Sequence, residues 1–479
     1  MSHSVEKIGG TSMSDYAAVR DNIIIAGAKD GFLYNRIFVV SAYGGVTDLL
    51  LENKRNGNPG VYGLFADQEG SEALWREALV NVGNELRKIN SELFQDADQL
   101  DEANKFIEGR LLEAERCMDN LHRLCQHGHF ELEDHLLTVR EMLASIGEVH
   151  SAWNTAKLLQ RDGINARFVD LSGWRMEEAI PLDDHIQREL DKIKVDEELP
   201  IVTGYAYCKE GLMATFDRGY SEMTFSRLAV KSGAAEAIIH KEYHLSSADP
   251  RLVGADKVVP IGRTNYDVAD QLANLGMEAI HPRAAKGLRK DHIPLRVKNT
   301  FEPEHNGTLI DGDYRSERPC VEIIAGRKQV YALEVFDQDM VGSLWQYEQK
   351  ILSSIERFKA TVITKDINAN TITHYLGTSL KTVKRIVKAV SEEFPTAEVS
   401  TRKVAIVSAI GSDMQVPGML AKTVSALASA DISVLAMHQS MRQVDMQFVI
   451  NEDDYEEAVA SLHRCLVEVH DHGDAICAA

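Results

Sequence analysis

Val5-Glu6-Lys7-Ile8-Gly9-Gly10-Thr11-Ser12 is the stretch from which the architecture of this chain can be read. Its order predicts a strand end, a glycine turn and a helix N-terminus. Two adjacent glycines let the backbone come close to a ligand and adopt positive φ without strain. Thr11 and Ser12 suit a helix start, where free N–H groups face an anion, and Lys7 adds a compact positive charge. The spacing is not that of a P-loop. An ordinary strand–turn–helix connection fits the same residues, so for this segment alone both readings stand.

Outward from it, unbroken apolar runs recur: Ile37-Phe38-Val39-Val40, Ala166-Arg167-Phe168-Val169, Pro200-Ile201-Val202, Ala237-Ile238-Ile239 and Ile293-Pro294-Leu295-Arg296-Val297. Such runs, alternating with helices, predict a mostly parallel sheet covered on both faces, an α/β fold. Between the second and third runs, Trp75, Leu79, Val82, Leu86, Ile89 and Leu93, then Leu111, Ala114, Met118 and Leu121, then Leu136, Val139, Leu143, Ile146, Val149 and Trp153 repeat at helical spacing. They predict a helical insertion over about 50–135 that runs on into a helix near 136–160. Residues 54–63 read as a loop.

Beyond residue 312 the pattern changes. A polar linker precedes an approximate repeat of order β-α-β-β-α, the ferredoxin-like order. Val330–Val335 and Ala360–Ile363 flank a helix in the first copy; Lys403–Val407, Ile432–Ala436 and Gln447–Ile450 are the strands of the second. The expected division is a catalytic domain over 1–312, a first small module over 320–400 and a second over 401–479, whose last strand completes the first.

Composition narrows the function. The 479 residues hold 73 acidic and 52 basic side chains, a formal net charge of −21. Nucleic acid and anionic membranes, which need clustered Lys and Arg, are not expected partners. Six scattered cysteines without a Cys-x-x-Cys pair predict neither a zinc site nor a disulfide framework, and no metal-ligating cluster is expected. No run approaches the roughly 18 apolar residues of a membrane span. With the glycine turn so near residue 1, a cytoplasmic location is expected.

Four further segments carry candidate chemistry. Ser41-Ala42-Tyr43-Gly44-Gly45-Val46-Thr47 follows the second strand, where parallel sheets collect ligands; Ser41 and Thr47 offer hydroxyls there. Ser145-Ile146-Gly147-Glu148 places a costly mid-helix glycine beside a carboxylate, a pair suited to an ammonium group, though a chance glycine and a solvated Glu fit this segment alone as well or better. In Asp217-Arg218-Gly219-Tyr220-Ser221-Glu222, Arg218 offers a fork for a carboxylate. Ser221 adds a hydroxyl, and Glu222 is both a site candidate and the first-turn acid a helix prefers. Ser246-Ser247-Ala248-Asp249-Pro250-Arg251 is a turn from which Arg251 can reach a polyphosphate and Asp249 can orient Arg251 or a metal-bound water, though Asp-Pro-Arg alone is also a common turn.

In this order these segments, with Ile280-His281-Pro282 and two modules resembling ACT domains (Gly411, Pro417-Gly418 and Asp431–Val434 in the second), resemble the aspartokinases of the amino-acid kinase family over essentially the whole chain. The resemblance implies an amino-acid kinase fold with two ACT modules, ATP with Mg²⁺, and phosphorylation of the side chain of L-aspartate. It implies a homo-oligomer and an amino-acid effector at the ACT modules. By it, Lys7, Gly9, Gly10 and Ser12 hold the transferring phosphate. Ser41, Thr47, Glu148, Arg218 and Ser221 surround aspartate, and Lys7, Arg218 and Glu222 are catalytic. His240, Lys241, Ser246, Asp249 and Arg251 follow the nucleotide. The chain departs from the usual pattern at Glu222 (commonly Asp), Tyr220 (commonly Gly), His240-Lys241-Glu242 (commonly Thr-Asp-Val), Ser246 (commonly Tyr) and Glu278 (often Lys). Its 216–225 and 240–242 segments resemble the branch associated with ectoine synthesis. Another carboxylate kinase of this fold and an amino-acid sensor with a decayed kinase core are the alternative readings.

Overall fold

β1 (Ser4–Ile8) lies at the middle of a parallel sheet. It pairs with β2 (Arg36–Val40) on one side, Lys7 opposite Val39, and with β5 (Glu236–Lys241) on the other, Ile8 opposite His240. β3 (Ala166–Val169) and β4 (Leu199–Thr203) extend the sheet beyond β2. β7 (Leu295–Asn299) extends it beyond β5, and β8 (Thr308–Asp311) closes antiparallel on β7. Val5, Ile37, Val39, Ile201 and Ile239 are fully buried, each contributing about 1.5–3 kcal/mol of transfer free energy. That is why these strands read as apolar runs rather than alternating ones.

The computed structural model describes residues 2–28, 33–54, 56–67, 72–216, 219–277 and 279–469. They gather into two units, one of residues 1–244 and 280–312, the other of 245–279 and 313–479. In the first, the helical insertion consists of Glu72–Leu93 and Ala97–Cys125, the latter capped by the Asp96 carboxylate on the N–H groups of Asp98 and Gln99. A third helix, Glu133–Arg161, is buried almost all round from Val139 to Leu159, Glu148 and His150 included. It serves both the insertion and the sheet, so its polar positions face protein rather than water.

The second unit holds a six-stranded antiparallel sheet in the order β10-β11-β9-β12-β14-β13. Its strands are β9 (Ile323–Phe336), β10 (Thr361–Ile367), β11 (Thr371–Gly377), β12 (Glu398–Ile410), β13 (Val434–Gln439) and β14 (Asp445–Asn451). β9 and β12 pair along their length, Glu398 opposite Phe336 at one end and Ile410 opposite Ile323 at the other. The expected completion of the first module by the last strand of the second is therefore corrected. The first half of β12 completes the module of β9, β10 and β11, and the first half of β9 joins the module of β12, β14 and β13. The second unit resumes at Asp313, but residues 245–279, expected within 1–312, belong to it as well. Residues 245–279, which include β6 (Arg263–Asn265) and the helix Tyr266–Asn274 capped by Asn265, bury Ile261, Val268 and Leu272 in one apolar cluster with Ile406, Phe448 and Leu462.

Candidate active site

The carboxyl ends of β1, β2, β4 and β5 lie side by side, and the loops leaving them build the site together with the helices Glu133–Arg161 and Tyr220–Ser232. The glycine turn opens the helix Gly10–Met13. Its glycines serve close approach rather than left-handed backbone: Gly9 is extended at φ −71°, and its N–H donates to the His240 carbonyl at 3.2 Å. A Cβ on Gly10 would stand 2.7 Å from the Ala42 carbonyl oxygen. The Ser14 hydroxyl accepts from the Gly44 N–H at 2.9 Å and donates to the Gly10 carbonyl at 3.3 Å, which locks the turn to the Ser41–Thr47 loop. In that loop Gly45 is left-handed at φ 84° and starts the helix Val46–Leu50.

Lys7 is almost fully buried, its Nζ 3.9 Å from Glu222 Oε1. Burial weakens its hold on a proton, Lys241 adds to that, and Glu222, Glu148 and Glu242 oppose it. The other Glu222 oxygen accepts the His281 N–H at 2.5 Å, just ahead of the helix Pro282–Lys290. Glu222 thus spans a helix start and the lysine.

Glu148 is the most perturbed acid of the site. It is 2% exposed, its Oε1 accepts the Ser221 hydroxyl at 2.7 Å, and Oε2 has no hydrogen-bond partner among the described residues. Burial pushes its carboxyl up to about 8, against the pull of Ser221, Lys7 and the Tyr205 and Ala42 backbone. A buried carboxyl so placed favours a cationic ligand, which would restore its ionised form. Gly147 lets the helix approach the Ser41–Thr47 loop: a Cβ there would lie 2.8 Å from the Ala42 Cβ and 3.1 Å from Val46 Cγ1. Ser41 is held through its carbonyl, which accepts the Ser151 hydroxyl at 2.8 Å, and Thr47 sits half-buried in the first turn of Val46–Leu50.

The structure thus brings together Lys7, Gly9, Gly10, Ser41, Thr47, Glu148, Ser221, Glu222 and Lys241. Two expected phosphate or nucleotide contacts need correction. Ser12 is fully buried with its hydroxyl on that of Thr300 at 2.9 Å. The His240 side chain is buried on Glu6 at 2.8 Å; neither side chain offers itself to a ligand. Ser246, Asp249 and Arg251 belong to the second unit. There Asp249 caps the short helix Pro250–Val253 and holds the Arg251 guanidinium by a fork, at 3.0 and 2.7 Å. Asp217, Arg218 and Glu278 lie outside the described residues. Sequence reasoning missed Gly204 as a site residue. A Cβ there would meet the Val40 carbonyl at 2.8 Å, Ser221 Cβ at 2.9 Å and Glu148 Oε2 at 3.0 Å. Its signal was the glycine directly after a parallel strand, where ligands gather.

Residues 4–299 match the amino acid kinase family, and residues 407–466 match an ACT domain. The chain belongs to the amino acid kinase family. Within that family its relatives are aspartokinases. It is 57% identical over 477 residues, 100% of both chains, to the aspartate kinase Ask_Ect of Stutzerimonas stutzeri (strain A1501). It is 25% identical over 525 residues, 97% of this chain and 90% of the relative, to the aspartokinase of Candida albicans. Among solved structures, E. coli aspartokinase III in complex with aspartate and ADP aligns at a TM-score of 0.70 and 21% identity, covering 97% of this chain and 99% of that one, a likeness of fold.

Proposed function

We propose that the chain transfers the γ-phosphoryl group of ATP to the side-chain carboxylate of L-aspartate, giving 4-phospho-L-aspartate and ADP. The observation that carries this reading is the buried set of Lys7, Glu148, Ser221 and Glu222 in a chain so similar to an aspartate kinase. A cation on Lys7 and an acid in Glu148 suit a substrate with an ammonium at one end and a carboxylate at the other.

The attacking carboxylate is ionised near neutral pH and needs no general base. One of its oxygens bonds to the γ-phosphorus while the bond to the bridging oxygen breaks, and ADP leaves with that electron pair. Catalysis is then positioning and charge neutralisation. Lys7 and the Gly10 N–H, with Gly9 allowing close approach, take the charge on the transferring group. Glu148 and Ser221 take the amino end of aspartate, with Ser41 and Thr47 beside it and Arg218 on its α-carboxylate. Mg²⁺, if it arrives with the nucleotide, would supply further neutralisation. Glu222, paired with Lys7 only at 3.9 Å, is the acid at hand to hold a water of that ion. Lys241, Ser246, Asp249 and Arg251 stay assigned to the nucleotide by the resemblance.

The same reading includes an amino-acid effector at the ACT modules and a homo-oligomer. The edge strand β13 exposes Leu435 and Met437, which supports pairing there. No described helix is long and apolar enough to cross a membrane, and the five described cysteines are free. A cytoplasmic location belongs to the same reading. The resemblance to the ectoine-associated branch supports a place at the head of that pathway. ADP release measured with aspartate, with glutamate and with both tests the substrate. Turnover with aspartate that glutamate neither replaces nor inhibits is expected; turnover with glutamate alone would assign another carboxylate kinase.

A further inference from the structure

We propose that Glu6, Arg36 and His240 form a buried bridge that positions the phosphate turn, so that His240 is a positioning residue for phosphoryl transfer rather than a contact of the nucleotide. The proposal rests on the kinase reading above.

Glu6 precedes Lys7 on β1, so strand alternation sends its side chain to the opposite face of the sheet from the lysine. There it meets two neighbours from the flanking strands. Arg36 of β2 reaches Glu6 Oε1 through Nε at 2.6 Å and Oε2 through Nη2 at 3.0 Å; His240 of β5 reaches Oε2 through Nε2 at 2.8 Å. All three are at least nine-tenths buried. The Ser4 hydroxyl donates to Glu6 Oε1 at 2.9 Å. Burial by itself would raise the Glu6 carboxyl, but Arg36 and His240 hold it well below the usual carboxylate range. An ionised Glu6 only accepts, so His240 Nε2 carries the proton it shares.

The bridge brackets the turn on three sides. On the near side, the His240 carbonyl takes the Gly9 N–H. Ahead of the turn stands Glu6, one residue from Lys7. Beyond the turn, Arg36 donates to the carbonyls of Ile23 and Ile24, each at 2.8 Å, at the end of the helical segment Val19–Ile25 that continues the chain. Gly27 makes room for this: a Cβ there would lie 2.7 Å from Arg36 Nη2 and 2.3 Å from the Ile23 carbonyl oxygen. One carboxylate therefore fixes the strand before the turn, the helical segment after it and the strand beside it. Buried ion pairs are costly compared with apolar side chains of the same size. The geometry here assigns the cost a purpose, which is to hold Lys7 and the Gly10 amide in one arrangement.

The test compares His240→Leu and His240→Gln with the native chain, by steady-state kinetics with ATP and aspartate and by thermal unfolding. Leu removes the bond to Glu6 but leaves the Glu6–Arg36 pair intact, and the Gln amide can donate to Glu6 again. The expected result is a fall in kcat on the order of tenfold to a hundredfold in His240→Leu, with KM for ATP little changed and the melting temperature retained. His240→Gln should recover most of kcat. A rise in KM for ATP in both variants at unchanged kcat would make His240 a nucleotide contact and overturn the proposal. So would native kinetics in His240→Leu, or a Leu defect that Gln does not repair. Absence of aspartate-dependent turnover in the native chain would instead strike the kinase reading. In that event ITC of Mg-ADP, which the bridge predicts to bind with a weaker enthalpy in His240→Leu and a restored one in His240→Gln, tests the bridge itself; equal enthalpies in all three would overturn it.

Discussion

Binding of aspartate should expel a proton, and Glu148 is its source. The carboxyl sits at about 8 in the free site because burial favours its neutral form. At pH 7 about 0.9 of the molecules therefore carry that proton, about half do at pH 8 and about 0.1 at pH 9. An ammonium against Glu148 Oε2 favours the ionised form and lowers the carboxyl's affinity for its proton. Close to one proton should leave per aspartate bound at pH 7, and the dissociation constant should fall about tenfold per pH unit up to pH 8. Titration calorimetry at pH 7 in phosphate and in Tris reads the proton count from the dependence of observed heat on buffer ionisation. Lys7 lies in the same site and burial weakens its hold on a proton, but its contribution is common to both proteins. The difference between the native chain and Glu148→Gln isolates the carboxyl. Equal proton counts in the two proteins would refute the placement of the substrate ammonium on Glu148.

The same residue fixes a stability slope. Below the ordinary value of 4.5 Glu148 is protonated whether folded or not. From there to about pH 8 only the folded chain keeps the proton, so stability falls as pH rises, by about 3 kcal/mol at pH 7. Chemical denaturation of Glu148→Gln should show that slope removed and a more stable protein at pH 8 to 9. Gly10→Ala sets a Cβ 2.7 Å from a backbone oxygen that has no cheap way to move; kcat should drop on the order of a hundredfold with folding retained. Gly147→Ala gains up to about 1 kcal/mol of helix propensity but presses on Ala42 and Val46; steady-state kinetics should show KM for aspartate raised roughly three- to tenfold. Arg36→Met strands Glu6 as a buried charge and should cost roughly 3–5 kcal/mol in urea unfolding at pH 7. That loss should shrink in acid, because a carboxyl held low contributes stability above its unfolded value and loses it as pH falls toward the folded one.

The parallel strands were legible because both faces of the sheet are covered, so Ile37–Val40 and Ala237–Ile239 are apolar at every position. The third helix was legible as a helix and Glu148 as a site candidate, but His150 looks like an ordinary polar position until the helix is known to be enclosed. The pair itself, a costly glycine next to an acid, pointed to an ammonium contact; the resemblance assigned Glu148 to the substrate. Ser12 and His240 were misread for one reason. The resemblance assigned both to phosphate and nucleotide, and only strand register, with His240 opposite Ile8, shows that its side chain shares a face with Glu6. Residues 245–279 read as more of the same α/β pattern, because Ile261, Val268 and Leu272 do not say which core they enter.

Trapping of the acyl phosphate as its hydroxamate, with ATP, Mg²⁺, aspartate and hydroxylamine, tests the central claim most directly. The account predicts an aspartate-dependent hydroxamate from the native chain and a kcat reduced far more than aspartate affinity in Lys7→Ala. No hydroxamate from folded native protein, or an undiminished one from Lys7→Ala, would contradict it.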